Sequence, residues 1–172
     1  MHRAKWFDKK FTFSLNQNEY KDILSKLNRT PDRIAKLVNH ITSEQLIKRI
    51  DEMWSVKENI GHLIDLEELH NGRIDDFIAG KDILRPADLT NKKTNEGGHN
   101  IKDINYLINE FKKERIHFVK RLSELDEVTL KKSAIHPRLN KPMRPIDMAQ
   151  FVLEHDEHHI ETINEIIEKF MI

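Results

Sequence analysis

Glu154-His155-Asp156-Glu157-His158-His159 lies inside a closing segment, roughly Pro145 to Met171, whose apolar residues Val152, Ile163, Ile166 and Phe170 recur at helical spacing. Residues four apart on an α-helix stand one above the other on the same face, so His155 and His159 can aim two imidazoles at one point. On a wheel of about 100° per residue, His159 falls inside the apolar arc and His155 at its edge. The pair therefore faces inward, where unpaired imidazoles are costly. Two readings follow from the spacing alone: a chelating pair awaiting a third ligand, or core and boundary histidines hydrogen-bonded to neighbours.

The rest of the chain reads as a helical frame for that segment. Its 172 residues suit one domain spanning 1–172, large enough to bury a core without staples. Only five glycines and five prolines punctuate it, and the long segments between them carry Ile, Leu, Lys and Glu at helical spacing, which argues for an all-α fold. No cysteine is present, which excludes disulfide frameworks, thiolate zinc sites and a cysteine nucleophile. Basic and acidic residues balance at 29 each with no basic block, so no nucleic-acid partner is expected. Met1 to Trp6 is charged and aromatic rather than apolar, and no run approaches the length of a membrane span. A cytoplasmic protein with no membrane contact is the expectation.

Trp6, Phe7, Phe11 and Phe13 form an aromatic arm expected to pack across the helices, with Phe11-Thr12-Phe13 alternating as a short strand would. The first helix starts near Asn18 and carries Tyr20, Ile23, Leu24, Leu27, Ile34, Leu37, Val38 and Ile41; Pro31 makes it either one kinked helix or two broken at Thr30. Ser55 as N-cap and Glu58 three residues later form a capping box for the second helix. Its stripe is Val56, Ile60, Leu63, Leu66, Ile74 and Phe77, ending at Gly80. His62 lies at the edge of that stripe and His70 nearer its centre, so His70 is the rival third ligand. Lys81 to Asn100 reads as a long loop, a lid over a pocket or an arm to a second subunit. A third helix is expected from near Ile101 to Leu122, then a proline-rich connection from Asp126 to Arg144.

Trp54-Ser55-Val56-Lys57-Glu58-Asn59-Ile60-Gly61-His62-Leu63, taken with His155-x-x-x-His159, resembles the DinB-like (DinB/YfiT) superfamily. Trp6-Phe7, Thr30-Pro31, Arg85-Pro86-Ala87-Asp88-Leu89, His136-Pro137-Arg138-Leu139 and Met143-Arg144-Pro145 are similar to one of its subfamilies, and extend the resemblance over essentially the whole chain. The resemblance implies a four-helix bundle of up-down-down-up topology with long connecting loops. It also implies a divalent metal held by three histidines, which fall here on His62, His155 and His159. Three neutral imidazoles leave a coordination position open, the pattern of a catalytic metal, and suit zinc or nickel, with ferrous iron and manganese as further candidates.

A small metalloenzyme is expected, either a hydrolase or a transferase using a low-molecular-weight thiol, acting on a small molecule. The alternative from another class is a non-catalytic metal- or ligand-binding bundle with a role in stress response. A zinc protease is excluded, because the position after the first histidine is Asp156 and the glutamate comes one residue later. Asp156 is expected to bond either a ligand imidazole or another helix, and His158 to face the surface. Arg138, Lys141 and Arg144 either bring positive charge to an anionic substrate or pair with acidic surfaces. A homodimer is expected from the zero net charge and aromatic arm, and from what the resemblance implies.

Overall fold

The protein is described by a computed structural model over residues 6–170. The expected helix end at Met171 and the first residues of the N-terminal arm lie outside those described. In chain order the elements are a 3-10 turn at Trp6–Asp8, α1 (Gln17–Val38), α2 (Ser43–Ile47), α3 (Val56–Ile78), α4 (Lys92–Glu96), a 3-10 turn at His99–Ile101, α5 (Ile104–Ser123), α6 (Glu127–Lys131), the antiparallel hairpin β1 (Ala134–His136) and β2 (Lys141–Met143), and α7 (Pro145–Glu168). The four long helices, α1, α3, α5 and α7, form the bundle. None of the described helices is long and apolar enough to cross a membrane.

Side-chain bonds between helices fix the topology. Tyr20 on α1 donates to the Leu122 carbonyl near the end of α5 while Lys112 meets Asp32, so α1 and α5 are antiparallel. Lys57 reaches the Lys102 carbonyl just before α5, and Arg121 meets Asn71 and Asp75, so α3 and α5 run parallel. Arg144 donates to the Leu15 carbonyl and Arg33 pairs with Glu157, so α1 and α7 are parallel too. The order is up-down-down-up, as the resemblance implies. A parallel α3–α5 pair obliges the chain to travel back along the bundle, since a helix of 23 residues is about 35 Å long. The long segment after Gly80 is that return strap.

Two apolar clusters fill the bundle, one built on Leu27, Phe77, Phe118 and Val152, the other on Ile34, Ile60, Phe111 and Ile163. A buried polar layer lies between them. Arg115 of α5, fully buried, donates to Glu67 of α3 and Asp156 of α7 and, through Nη1, to the Leu27 carbonyl of α1 at 3.3 Å. Pro31 explains the last bond. Proline has no N–H, so the carbonyl four residues earlier loses its helical partner, and a buried carbonyl needs another. Accordingly α1 is a single helix through Pro31, not two broken at Thr30. The same layer interrupts the expected stripe of α3 at one position, where Glu67 points into the core and Leu66 is only half-buried, while Val56, Ile60, Leu63, Ile74 and Phe77 are buried as expected.

Other differences lie outside the long helices. Asn16 caps α1 two residues before Asn18, sharing a capping box with Glu19. Asp103 caps α5, which therefore begins after Ile101. Phe11 to Phe13 form no strand, but the ring of Phe11 stacks on Phe13 and packs against Trp6 and Phe151, so the arm does lie across the helices. The connection before α7 contains α6 and the hairpin, which brings His136 and Arg138 against the bundle.

Candidate metal centre

His62 stands two turns into α3, and His155 and His159 one turn apart on the antiparallel α7. One ring nitrogen from each lies within 4.8 Å of the other two, and all three residues are buried. The Nε2 atoms of His155 and His159 are 3.3 Å apart. Two ligands about 2.0–2.1 Å from a tetrahedral ion would stand about 3.4 Å apart.

The neighbours fix which nitrogens carry the ring protons. Asn59, one turn before His62, donates through Nδ2 to the carbonyls of Trp54 and Ser55, which turns its Oδ1 towards His159 Nδ1 at 2.8 Å. That nitrogen is therefore the protonated one, leaving Nε2 with its lone pair. His62 Nδ1 lies 3.0 Å from Thr94 Oγ1, whose own proton goes to Asp65 Oδ2. Thr94 must accept from His62, so His62 Nε2 is the free nitrogen. His99 Nε2 meets the same Asp65 oxygen at 2.8 Å. The imidazole of His99 packs on Gly61 so closely that a Cβ there would come within 2.2 Å of the ring. Thr94 and His99 both belong to the return strap, so the strap orients His62.

Burial, together with the facing rings, holds His62 and His155 neutral. It pushes His62 down to about 4, against the opposing pull of Asp65, and His155 well below its ordinary value, with His159 and His62 adding to the effect. Neutral imidazole is the form that ligates. His155 Nδ1 is buried without a hydrogen-bond partner among the described residues. That atom is not the one facing His159, so the fit to a metal rests on the convergence of one nitrogen from each ring and on the orientation of His62 and His159. Beside the cluster opens a cavity of about 380 Å³ walled by Trp6, Trp54, Leu66, Leu69, Pro137 and Phe151.

Residues 26–163 match the family model of the DinB superfamily. This chain belongs to the DinB superfamily. YfiT from Bacillus subtilis, described as a probable metal-dependent hydrolase with an unusual four-helix bundle topology, superimposes with a TM-score of 0.76. The match covers 94% of this chain and 93% of YfiT at 20% sequence identity, and so establishes the shared fold. No curated protein matches the chain.

The remaining candidate residues of this DinB superfamily member divide clearly. His70 lines the cavity but stands apart from the three-histidine cluster, with its ring 5.5 Å from Phe118 and Nδ1 3.9 Å from Glu67. Asp156 bonds Arg115, so of its two expected roles the structure has the link to another helix. His158 is half-buried rather than on the surface, lines the cavity, and its ring is 5.6 Å from that of Trp6. Lys141 donates to the Phe11 carbonyl, and Arg144 chelates Asp147 at the start of α7. Arg138 alone of the three cations lines the cavity. Asn59, Asp65, Thr94 and His99 were not singled out from the sequence. Asn59 and Asp65 flank His62 at i−3 and i+3 and are legible from helical spacing, whereas Thr94 and His99 lie on a strap without periodicity.

Proposed function

We propose that this protein is a metal-dependent enzyme acting on a small molecule, with a divalent ion held by His62, His155 and His159. The observation that carries the reading is the convergence of three buried imidazoles at the wall of a cavity. A set of three nitrogen donors without a carboxylate suits zinc or nickel, with iron or manganese as further candidates, and keeps a coordination position for water or substrate. When bound, the ion would supply Lewis acidity to water or to a thiol brought from outside.

The chain's own residues prepare that site. Asn59 and Thr94 hold the Nδ1 protons of His159 and His62, which fixes ring orientation. Trp54 lies against His62 and Trp6 against His155, at ring separations of 4.7 and 4.8 Å, and exclude water from those faces. Hydrolysis is placed first because YfiT, of the same fold, is described as a probable hydrolase. Transfer of a low-molecular-weight thiol is the second reading; with no cysteine in the chain, the sulfur would have to be the co-substrate's. The open cavity favours either enzyme over the non-catalytic bundle, in which a side chain would plug the site. A cytoplasmic homodimer completes the proposal.

The test is metal content by mass spectrometry and thermal melting, each with and without added Zn²⁺ or Ni²⁺, for wild type and His159→Ala. Wild type is expected to hold one equivalent and to melt higher with metal, since an ion that binds only the native state stabilises it by mass action. The variant should lose both effects yet still fold on its two apolar clusters. A variant that retains a full equivalent, or a wild type with no metal-dependent shift above the imidazole pKa, overturns the assignment.

A further inference from the structure

We infer that the wall of the cavity away from the histidine cluster is an oxyanion-binding subsite formed by Arg73, His136 and Arg138, so that the substrate is a small organic anion. The inference deepens the proposed function, because it names the class of molecule the same cavity takes, but its geometry does not depend on a metal.

Arg73 is 2% exposed, yet its one hydrogen bond among the described residues is from Nε to the Arg85 carbonyl. The carboxylate nearest in charge terms, Asp76, is already occupied, receiving the Arg85 backbone N–H and two guanidinium bonds. Gly72 makes that possible, since a Cβ there would strike the Arg85 guanidinium at 2.0 Å. Arg73 thus brings a buried positive charge whose terminal nitrogens have no carboxylate. Buried charges are ordinarily paired, and the shortage of an anion is itself informative.

Arg138 repeats the pattern. Its guanidinium sits 5.2 Å from the ring centre of Phe7, 5.8 Å from Phe151 and 5.9 Å from Trp6, which fixes it by cation–π contact and leaves its donors uncommitted. Nη2 is buried with no partner among the described residues. His136 supplies the third donor. The Leu139 N–H donates to its Nδ1 at 3.2 Å, so the ring proton sits on Nε2, and among the described residues that atom too is buried with no partner. An oxyanion accepts from guanidinium and imidazole N–H groups together and also neutralises the arginine charge, which a neutral acceptor does not. Among the described residues lining the cavity the single carboxylate is Asp88, whose oxygens accept from Thr90 and Lys92.

Position gives the substrate its shape. Arg73 follows His62 by eleven residues on α3, about 16 Å along the axis, and His136 packs on Phe151, one turn of α7 from His155. Leu66, Leu69 and Phe151 line the cavity between the two ends. A molecule spanning it has an oxyanion at one end, an apolar body, and its reacting bond near the histidines.

The test is calorimetric titration of the full chain with benzoate, phenyl phosphate and benzyl alcohol, in metal-free and zinc-loaded forms, for wild type, Arg138→Gln and Arg138→Lys. Benzoate or phenyl phosphate should bind the metal-free protein at least tenfold more tightly than benzyl alcohol. Whichever binds more tightly tells carboxylate from phosphate. Arg138→Gln should lose that preference and Arg138→Lys retain part of it. Arg138 is half-buried on a loop, and melting temperatures of both variants check that the fold survives the changes. Equal binding of benzyl alcohol, unchanged binding by Arg138→Gln, or anion binding that appears only with zinc would overturn the subsite. Anion binding lost in Arg138→Gln, with no zinc taken up by wild type, would uphold the subsite while overturning the metal assignment.

Discussion

Asn59 shows how much one residue can set at a site it does not itself complete. Its amide is held by two backbone carbonyls and presents a single acceptor to His159. Asn59→Ala is expected to weaken metal binding about 10–100-fold, the usual effect of removing a group that orients a ligand imidazole, with little change in helix content. Competition for Zn²⁺ against a chromophoric chelator reads this directly; affinity within twofold of wild type would show that the bond does not orient the ligand. His136 behaves differently. Its burial, helped by the charges of Arg73 and Arg138, lowers its pKa from 6.5 to about 3. Between those values the unfolded chain takes up a proton that the folded chain refuses, so stability is full above pH 6.5 and falls as pH drops towards 3. The loss should approach about 5 kcal/mol at the foot of that window as an upper bound. Denaturant titrations of wild type and His136→Gln across pH 7 to 4 should converge as pH falls; parallel curves would refute the assignment.

The helices differ in how much of them could be read from residue types. Ser55 with Glu58 announces the start of α3, and the structure has both bonds of that capping box. The closing helix is equally plain, because His155, His159 and the isoleucines obey one period. Where the sequence misleads, a tertiary partner has overridden a local rule: Pro31 breaks a helix only if the freed carbonyl goes unmet, and here Arg115, far along the chain, meets it. The strap is illegible for a related reason. Thr94 and His99 are chosen by where the chain passes, which no periodicity records. Ser55 links the two kinds of element, accepting from the Glu58 N–H and donating to Asn100 of the strap at 2.6 Å. Ser55→Ala should therefore cost about 1–2 kcal/mol, the upper range for an N-cap. Thr42→Ala, at the exposed cap of α2, should cost less. Equal losses in thermal unfolding would mean that the strap bond adds nothing.

Across the whole molecule, Arg115 is the point where all four long helices meet. Removing it alone leaves Glu67 and Asp156 buried without a cation; burial already raises the Asp156 carboxyl even with Arg115 present. Arg115→Leu is expected to destabilise by about 3–5 kcal/mol, and replacing Glu67 and Asp156 by Leu as well to recover most of that. Equilibrium unfolding in urea distinguishes the outcomes, and a single variant as stable as wild type would show the layer to be dispensable. Ile101 and Val128, 91% and 71% exposed, are apolar side chains that a second copy could cover. Light scattering at micromolar concentration is expected to give twice the 20.5 kDa chain mass; a stable monomer would rule out the proposed dimer.

Parallel α3 and α5 also order events in time. The bond between His159 and Asn59 closes a separation of 100 residues, and contacts so distant pay their loop-closure entropy before any reward arrives. During synthesis α1, α3 and α5 emerge before α7, so for that interval the inward face of α3, His62 included, has no lid. The last of the four long helices to leave the ribosome carries both remaining imidazoles and seals the core in the same stroke, so a completed three-histidine cluster is also a mark that the bundle is whole.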